Sequence, residues 1–459
     1  MVVGGGVSGL AAAYRLARTV PAARVTVLES SPRIGGSLRV AEVGGVGVDV
    51  GAEAMLNRRP EAVALVREVG LGDDLVHPAT TTASLWNRGL LVPMPRTLMG
   101  IPPDLRAVDG VLSARGIARA ALDPVLPATE LGEHDISVGH LVEERLGREV
   151  VDRLVEPLLG GVYAGHAREI SARAAVPQLV GLLARDRSLT RAAAAALPPA
   201  GTAGAPVFAG VRGGIGRLPG ALAGASGAQV RTDATVRILA GRPDGGWNLV
   251  VGSTRDPEVV HADAVVLATP ARATARLLKD VAPGAALDLA RLEYASMAIV
   301  TLAFPARHFP ALPGSGFLVP PVDGHTIKAA TFSAAKWDWV REAGGDLVLM
   351  RCSIGRHREE QVLQVDDDEL VRVALADLSA AVGLSMRPVD AHVQRWGGAL
   401  PQYAVGHLER VAAVRRELDG VAGVAVCGSA YDGVGIPACI ASAERAVEKV
   451  VGDLATMTP

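Results

Sequence analysis

The amino-acid sequence predicts an α/β protein. Its nucleotide-binding domain, built on a parallel sheet, is assembled from separated stretches of chain and interrupted by a helical insertion and a second β-sheet domain. Three observations predict this class. Val2-Val3 runs directly into Gly4-Gly5-Gly6, with Gly9 close behind and a helical pattern after it. A second glycine-rich stretch, GVAVCGSAYDGVGIPACI at Gly423–Ile440, offers the same kind of surface at the far end of the chain. Between the two, a block of amphipathic helical spacing gives way to long β-like runs.

Composition sets the outer limits. With 459 residues, 49% hydrophobic and 20% charged, the chain is long enough for two or three domains and too apolar for a disordered body. Aromatic residues are only 3% and the net charge is -2, so neither base stacking nor attraction to a polyanion is on offer, and no nucleic-acid partner is expected. Cys352, Cys427 and Cys439 include no CxxC pair, which argues against a disulfide framework or a structural zinc site; Cys427, in VAVCG, reads as a buried strand thiol. His134 and His140 lack any metal-ligand spacing and read as surface histidines, so no metal site is expected. The first strand begins at residue 1, which leaves no targeting segment in view; either a few residues precede it or the strand is simply short. The longest uncharged run, Ala192–Val211, contains Pro198-Pro199 and is not a credible membrane span. A cytoplasmic protein is expected, with peripheral membrane contact left open.

Each element then follows in order. Val2-Val3 ends the first strand, and Leu10–Val20 forms a helix with Leu10, Tyr14 and Ala17 on one face. Gly4, Gly6 and Gly9 between them fit GxGxxG, with Val7 and Ser8 at the turn into the helix. In such a motif the first glycine makes the tight turn, the second admits a pyrophosphate, and the third lets helix and strand pack closely. The second strand, Arg24–Leu28, ends in Glu29, an acid placed to grip an adenosine ribose and to disfavour a ribose 2′-phosphate.

The sequence ESSPRIGG (Glu29–Gly36), followed by VGGVGVDVGAEAML, resembles the motif after the Rossmann turn in FAD-dependent amine oxidases, phytoene desaturases and protoporphyrinogen oxidases. The resemblance implies a Rossmann-like FAD domain holding its cofactor non-covalently, with Arg33 near the FAD phosphates and Gly36 along its length. Without the resemblance, Arg33 could equally be a solvated surface charge.

Further on, Pro60–Val69 has helical spacing and Val76–Val92 reads as a loop and hairpin. Asp104–Asp186 reads as amphipathic helix broken at Pro124, Pro127, Pro157 and Pro177. Ser137 is placed to cap a helix starting near Val138, with Glu143, Glu144, Arg145 and Arg148 as its solvated face. This insertion shapes a substrate cavity or rests on a membrane surface. Residues 187–206 read as a surface connection, and PVFAGVRGGIGRLPGAL as a glycine turn before a helix. A three-stranded antiparallel excursion containing Val236 precedes strand Ala264–Ala268. Runs Ala295–Phe304, Gly316–Pro320, Thr326–Thr331 and Asp346–Ser353 predict a sheet, followed by helix Asp367–Ala381 and a return through Val389–Arg395. The expected division is 1–85, 205–285 and 390–459 for the nucleotide domain, 86–204 for the insertion, and 286–389 for a substrate-binding sheet domain.

GFLVP (316–320), TFSAAKWDW (331–339), LMRCSIGR (349–356), WGGALPQYAVGH (396–407) and CGSAYDGVGIPACIASAERA (427–446) together resemble the bacterial porphyrinogen oxidases, most closely the actinobacterial form acting on coproporphyrinogen III. The resemblance runs from Val2 to Val451 and implies FAD contacts for Gly4, Gly6, Val7, Ser8, Gly9, Glu29, Ser30, Arg33, Gly36, Gly51, Ala52, Glu53 and Ala54. It places Val236 against adenine, and Trp396, Gly428, Gly435, Ile436 and Pro437 by the flavin; Trp396 could also simply pack a turn. It implies oxygen-dependent, six-electron oxidation of coproporphyrinogen III to coproporphyrin III in haem biosynthesis, with hydrogen peroxide released. The reaction is flavin-centred with no catalytic side chain, and the product passes by transient contact to the next haem-pathway enzyme. Protoporphyrinogen IX, an amine or an unsaturated lipid are the alternative substrates, and a flavin-binding scaffold without turnover the non-enzymatic reading. Arg88, Arg96, Lys328 and Lys336, with Arg58 and Arg59, are the candidate cations for substrate carboxylates. The chain departs from its relatives at Ser442-Ala443, where a Ser-Gly pair is usual, and at Glu53, where eukaryotic protoporphyrinogen oxidases carry arginine. Glu53 is expected to turn towards backbone N–H groups or the flavin side.

Overall fold

The computed structural model describes residues 1–129, 134–198 and 205–457. A five-stranded parallel sheet runs in the order Gln229–Arg231, Thr26–Leu28, Val2–Val3, Val265–Leu267, Val424–Val426. Its strands are short and, apart from the edge strand Gln229–Arg231, Val/Leu-rich and almost wholly buried, as a sheet covered on both faces requires. Val7–Thr19, Leu218–Ser226 and the long helix Ile436–Met457 pack on one face. On the other lie Ala271–Leu278, Pro283–Ala290 and His407–Asp419, along with an antiparallel excursion of Val236–Gly241, Trp247–Gly252 and Pro257–Ala262.

The second sheet has seven strands, ordered Asp390–Pro401, Tyr294–Pro305, Leu347–Ile354, Ile327–Thr331, Gly316–Leu318, Ser84–Asn87, Leu90–Pro93. All neighbours are antiparallel except Gly316–Leu318 with Ser84–Asn87. Its apolar face buries Val300, Leu302, Phe304 and Met350 against helix Asp367–Val382. The boundary expected at 389/390 thus falls at the start of a strand paired along its length with Tyr294–Pro305. Two irregularities interrupt the regular pairing, one between Ala295 and Met297 and one between Ile327 and Ala329. Three buried cysteines lie in these cores.

The α/β class, the separated segments and the helical insertion all follow expectation. Ser137 caps helix Val138–Leu146, its hydroxyl accepting from the His140 amide. Three expectations are corrected. The first helix starts at Val7, so the last glycine of the motif is already helical. Arg145 is not solvated: it is 1% exposed and paired at 2.8 Å with Asp123, itself 0% exposed, because it follows Leu141 by four residues and shares its buried face. Residues 187–206 include a helix, Leu189–Ala196, capped by Ser188 and buried at Leu189, Thr190, Ala192 and Ala193; residues 199–204 lie outside the described residues. Among the described residues no helix is long and apolar enough to cross a membrane.

Candidate active site

The glycine turn is shaped by what each position must approach. Gly4 has φ +109°, and a Cβ there would lie 2.6 Å from the Ala268 carbonyl oxygen; one on Gly9 would lie 1.9 Å from that of Gly4. Both close against protein. A Cβ on Gly6 would instead meet no atom within 4 Å, so that face is left for a ligand. The helix opens directly after Gly6 with no side-chain cap and no acid in its first turn. The first-turn amides, including those of Val7, Ser8 and Gly9, therefore lack intrahelical acceptors and present the positive end of the helix dipole to an anion.

Glu29 folds back on this turn: Oε2 accepts from Gly5 N at 2.7 Å, and Oε1 accepts from Ser31 N and Ser31 Oγ at 2.8 Å each. Ser30 Oγ reaches the same oxygen at 3.3 Å. The chain from Arg231 to Val236 runs alongside, Ala234 N donating to Glu29 O at 2.8 Å, which brings Val236 near the acid.

Residues far apart in sequence then meet around Trp396. Arg33 donates to Gly36 O at 2.9 Å and stands 5.7 Å from the Trp396 ring centre, a cation–π contact. Trp396 Nε1 donates to Val50 O at 3.0 Å, and a Cβ on Gly51 would lie 3.1 Å from Trp396 Cζ2. Ala52 N reaches Ser37 O at 3.3 Å, and Ala54 packs into the small core around Trp337 and Trp339. Beside this turn Asp49 accepts from Ile215 N and Gly216 N, both at 2.9 Å, and burial pushes its carboxyl up to about 6.

The second glycine stretch is pinned by residues the sequence did not single out. Tyr403 Oη accepts from Gly433 N at 2.7 Å and donates to Ser429 O at 2.5 Å, with His407 stacked on its ring. Asp432 pairs with Arg415 at 2.7 Å and with Arg445. Gly428 N donates to Ser442 Oγ at 3.2 Å, so Ser442 ties the final helix to this loop. Gly435, Ile436 and Pro437 lead into the final helix. Only the PQY of the sequence resemblance touched Tyr403; its bonds across 26 and 30 residues left no local signal.

Glu53 does not turn to backbone amides. Oε1 accepts from Lys336 Nζ at 2.5 Å and Oε2 from Arg351 Nη1 at 2.7 Å, while Arg351 also donates to Gly51 O. Burial alone would raise the Glu53 pKa, but the two cations and their hydrogen bonds outweigh it and bring it down to about 2. Lys336 ends a short helix, Ser333–Lys336, and is already partnered. Arg88 bonds Glu149 and Val111 O, Arg96 bonds Pro198 O, and Arg59 pairs with Glu61 at 2.5 Å; Arg58 is exposed. Lys328 differs: it is 3% exposed and donates to Gly355 O at 3.0 Å. A cavity of about 380 Å³ opens beside Trp396, lined by Ser296, Met297, Leu363 and Arg395.

Residues 7–451 match the model of the flavin containing amine oxidoreductases. The coproporphyrinogen III oxidase of Mycobacterium tuberculosis (strain ATCC 25618 / H37Rv) is 39% identical over 98% of this chain and 96% of its own. That of Bacillus subtilis (strain 168) is 30% identical over 97% of this chain and 96% of its own. Among solved structures, the "Putative protoporphyrinogen oxidase" from Exiguobacterium sp. 255-15 superposes with TM-score 0.87 at 30% identity, covering 99% of this chain and 98% of the other. Cyclohexylamine oxidase from Brevibacterium oxydans shares the fold, with TM-score 0.71 at 16% identity over 99% and 98% of the two chains.

Proposed function

The chain belongs to the flavin-containing amine oxidoreductase family, and on that premise we propose that it oxidises coproporphyrinogen III to coproporphyrin III. FAD is held non-covalently, and molecular oxygen is the final acceptor. The observation that carries the cofactor assignment is the convergence on one surface of the open Gly6 face, Glu29, and the Arg33–Trp396–Gly51 contact. The substrate assignment is supported by the near-full-length likeness to coproporphyrinogen III oxidases.

The residues fit FAD. The Val7–Gly9 amides and the positive helix end suit the pyrophosphate, Glu29 suits the ribose hydroxyls, and the 231–236 connection runs where adenine would lie. Bound FAD supplies a two-electron acceptor, so the six electrons leave as three pairs and three oxygen molecules become three of hydrogen peroxide. The protein orients the macrocycle and excludes water: Trp396, Met297 and Leu363 supply a wall, and cations receive carboxylates. This work is done in the cytoplasm, with transient contact to the next enzyme of the haem pathway and a peripheral membrane contact as the remaining option.

Anaerobic mixing with coproporphyrinogen III should bleach the flavin absorbance faster than mixing with protoporphyrinogen IX, and air should then yield peroxide. Denaturation should release intact FAD. A faster reaction with protoporphyrinogen IX would reverse the substrate assignment, and no bleaching with either would remove porphyrinogen oxidation altogether.

A further inference from the structure

Two buried cations lie together at the seven-stranded sheet, Lys328 within it and Arg356 just past the end of Leu347–Ile354, and among the described residues neither has a carboxylate closer than 4.0 Å. Lys328 occupies the pairing irregularity between Ile327 and Ala329, and Ser296 the one between Ala295 and Met297. A β-bulge re-aims the side chain of its extra residue. Here the lysine is turned away from the apolar face that Ile327 and Ala330 give to the core. Its Nζ donates to Gly355 O at 3.0 Å and rests 3.8 Å from Met297 Sδ. Gly355 stands against the other irregular strand: a Cβ there would lie 2.9 Å from Ser296 O and 3.0 Å from Leu363 Cδ1. Ser296, Met297 and Leu363 all line the cavity beside Trp396. Met297 thus touches both the ammonium and that space, and a methionine side chain repacks easily.

Arg356 follows Gly355 directly and is 5% exposed. Its Nε has no hydrogen-bond partner, and its Nη2 reaches only Val319 O, at 3.4 Å. The nearest carboxylate, on the half-exposed Glu359, is 4.0 Å away, while Glu156 is engaged with Ala167 N. Among the described residues no carboxylate forms an ion pair with Lys328, in contrast to Lys336 and Arg351, which share Glu53. Burial, and after it the Arg356 charge, lowers the Lys328 pKa to about 7. Two cations held together out of water are costly unless an anion joins them.

We infer that Lys328 and Arg356 form a receiving site for one carboxylate arm of the substrate, entered past Met297 from the cavity beside Trp396. The inference rests on the porphyrinogen reading and deepens it by naming where a side arm is gripped. An arm seated there fixes the rotation of the macrocycle about its own axis, so the same edge faces the flavin side in each turnover.

The test uses FAD-loaded protein and two probes, coproporphyrin III and its tetra-amide, which keeps the shape without the charges. Lys328→Met and Arg356→Met should each weaken binding of the acid tenfold or more and change binding of the amide by less than twofold. FAD content should be unchanged and the thermal midpoint equal or higher, since an unmatched buried charge is removed. Lys328→Arg should restore acid binding to within threefold. Equal losses for acid and amide, unchanged acid binding, or a lowered midpoint in both methionine variants would overturn the site. Turnover of coproporphyrinogen III by the unaltered protein separates the two claims. If it turns over while the variants bind the acid normally, only the site falls; if it does not, the functional reading falls and takes the site with it.

Discussion

Glu53 shows how much of the site depends on pairing that only the folded chain provides. In the sequence it is an anomaly, an acid where some relatives carry arginine; in the structure it is the counterion of Lys336 and Arg351. Glu53→Gln leaves the buried Arg351 and the partly buried Lys336 without a carboxylate and should lower stability by about 3 kcal/mol. The pH dependence has a definite sign. The folded pKa is about 2 against 4.5 for the free group, so this contribution is complete above about pH 4.5 and is lost as the pH falls towards 2. Asp49 works the other way: it rises from 3.8 to about 6, so its contribution weakens as the pH climbs through that window. Urea midpoints of native protein and Glu53→Gln should therefore converge between pH 5 and 2; a constant gap would show that Glu53 is not the paired ion. Glu29→Ala should weaken FAD retention by about 1.5–3 kcal/mol, the scale of hydrogen bonds to a charged group, and equilibrium dialysis of the flavin would measure it. Glu29 was legible because strand, glycines and acid are close in sequence. Lys328 was legible only as one of several cations, since its bulge lies in one strand and its neighbour Arg356 in the loop that follows another.

The helical insertion repeats this contrast between local and distant signals. The Ser137 cap was legible because a cap and its helix are adjacent. The fate of Arg145 was present in the spacing, three and four residues after Val142 and Leu141, but a charge is ordinarily assigned to solvent. Its partner Asp123 sits in a proline-broken turn and also accepts from Ser188 Oγ at 2.6 Å and from Thr190 N at 3.0 Å. One buried carboxylate thus joins three elements, including the helix Leu189–Ala196, whose alanine run was overshadowed by the prolines and glycines beyond it. Arg145→Met should cost about 3–5 kcal/mol by stranding that carboxylate. Limited proteolysis should cut the variant first within residues 86–204, while the flavin remains bound; cleavage spread evenly along the chain would show that the pair is a global rather than a local tie.

At the scale of the whole molecule, the proposed FAD contacts come from both ends and the middle of the chain, at Gly6, Arg33, Val236, Trp396 and Gly435. A ligand gripped by such separated pieces stabilises all of them together, by about 4 kcal/mol at a thousandfold excess over its dissociation constant. Calorimetry should show one cooperative transition for FAD-loaded protein, moving to lower temperature as flavin is removed; two transitions, one of them insensitive to flavin, would contradict it. The order of the parallel sheet has a consequence in time. Val2–Val3 lies between Thr26–Leu28 and Val265–Leu267, the edge strand is Val424–Val426, and the helix beside the glycine turn is completed only by Ile436–Met457. At roughly 5–20 residues per second, about 20 to 80 seconds of synthesis separate the first strand from the last. Val2–Val3 is paired on both sides once Val265–Leu267 is made, and from then until Val424–Val426 follows, the bare apolar edge is that of Val265–Leu267. The domain that emerges first from the ribosome is the last that can close.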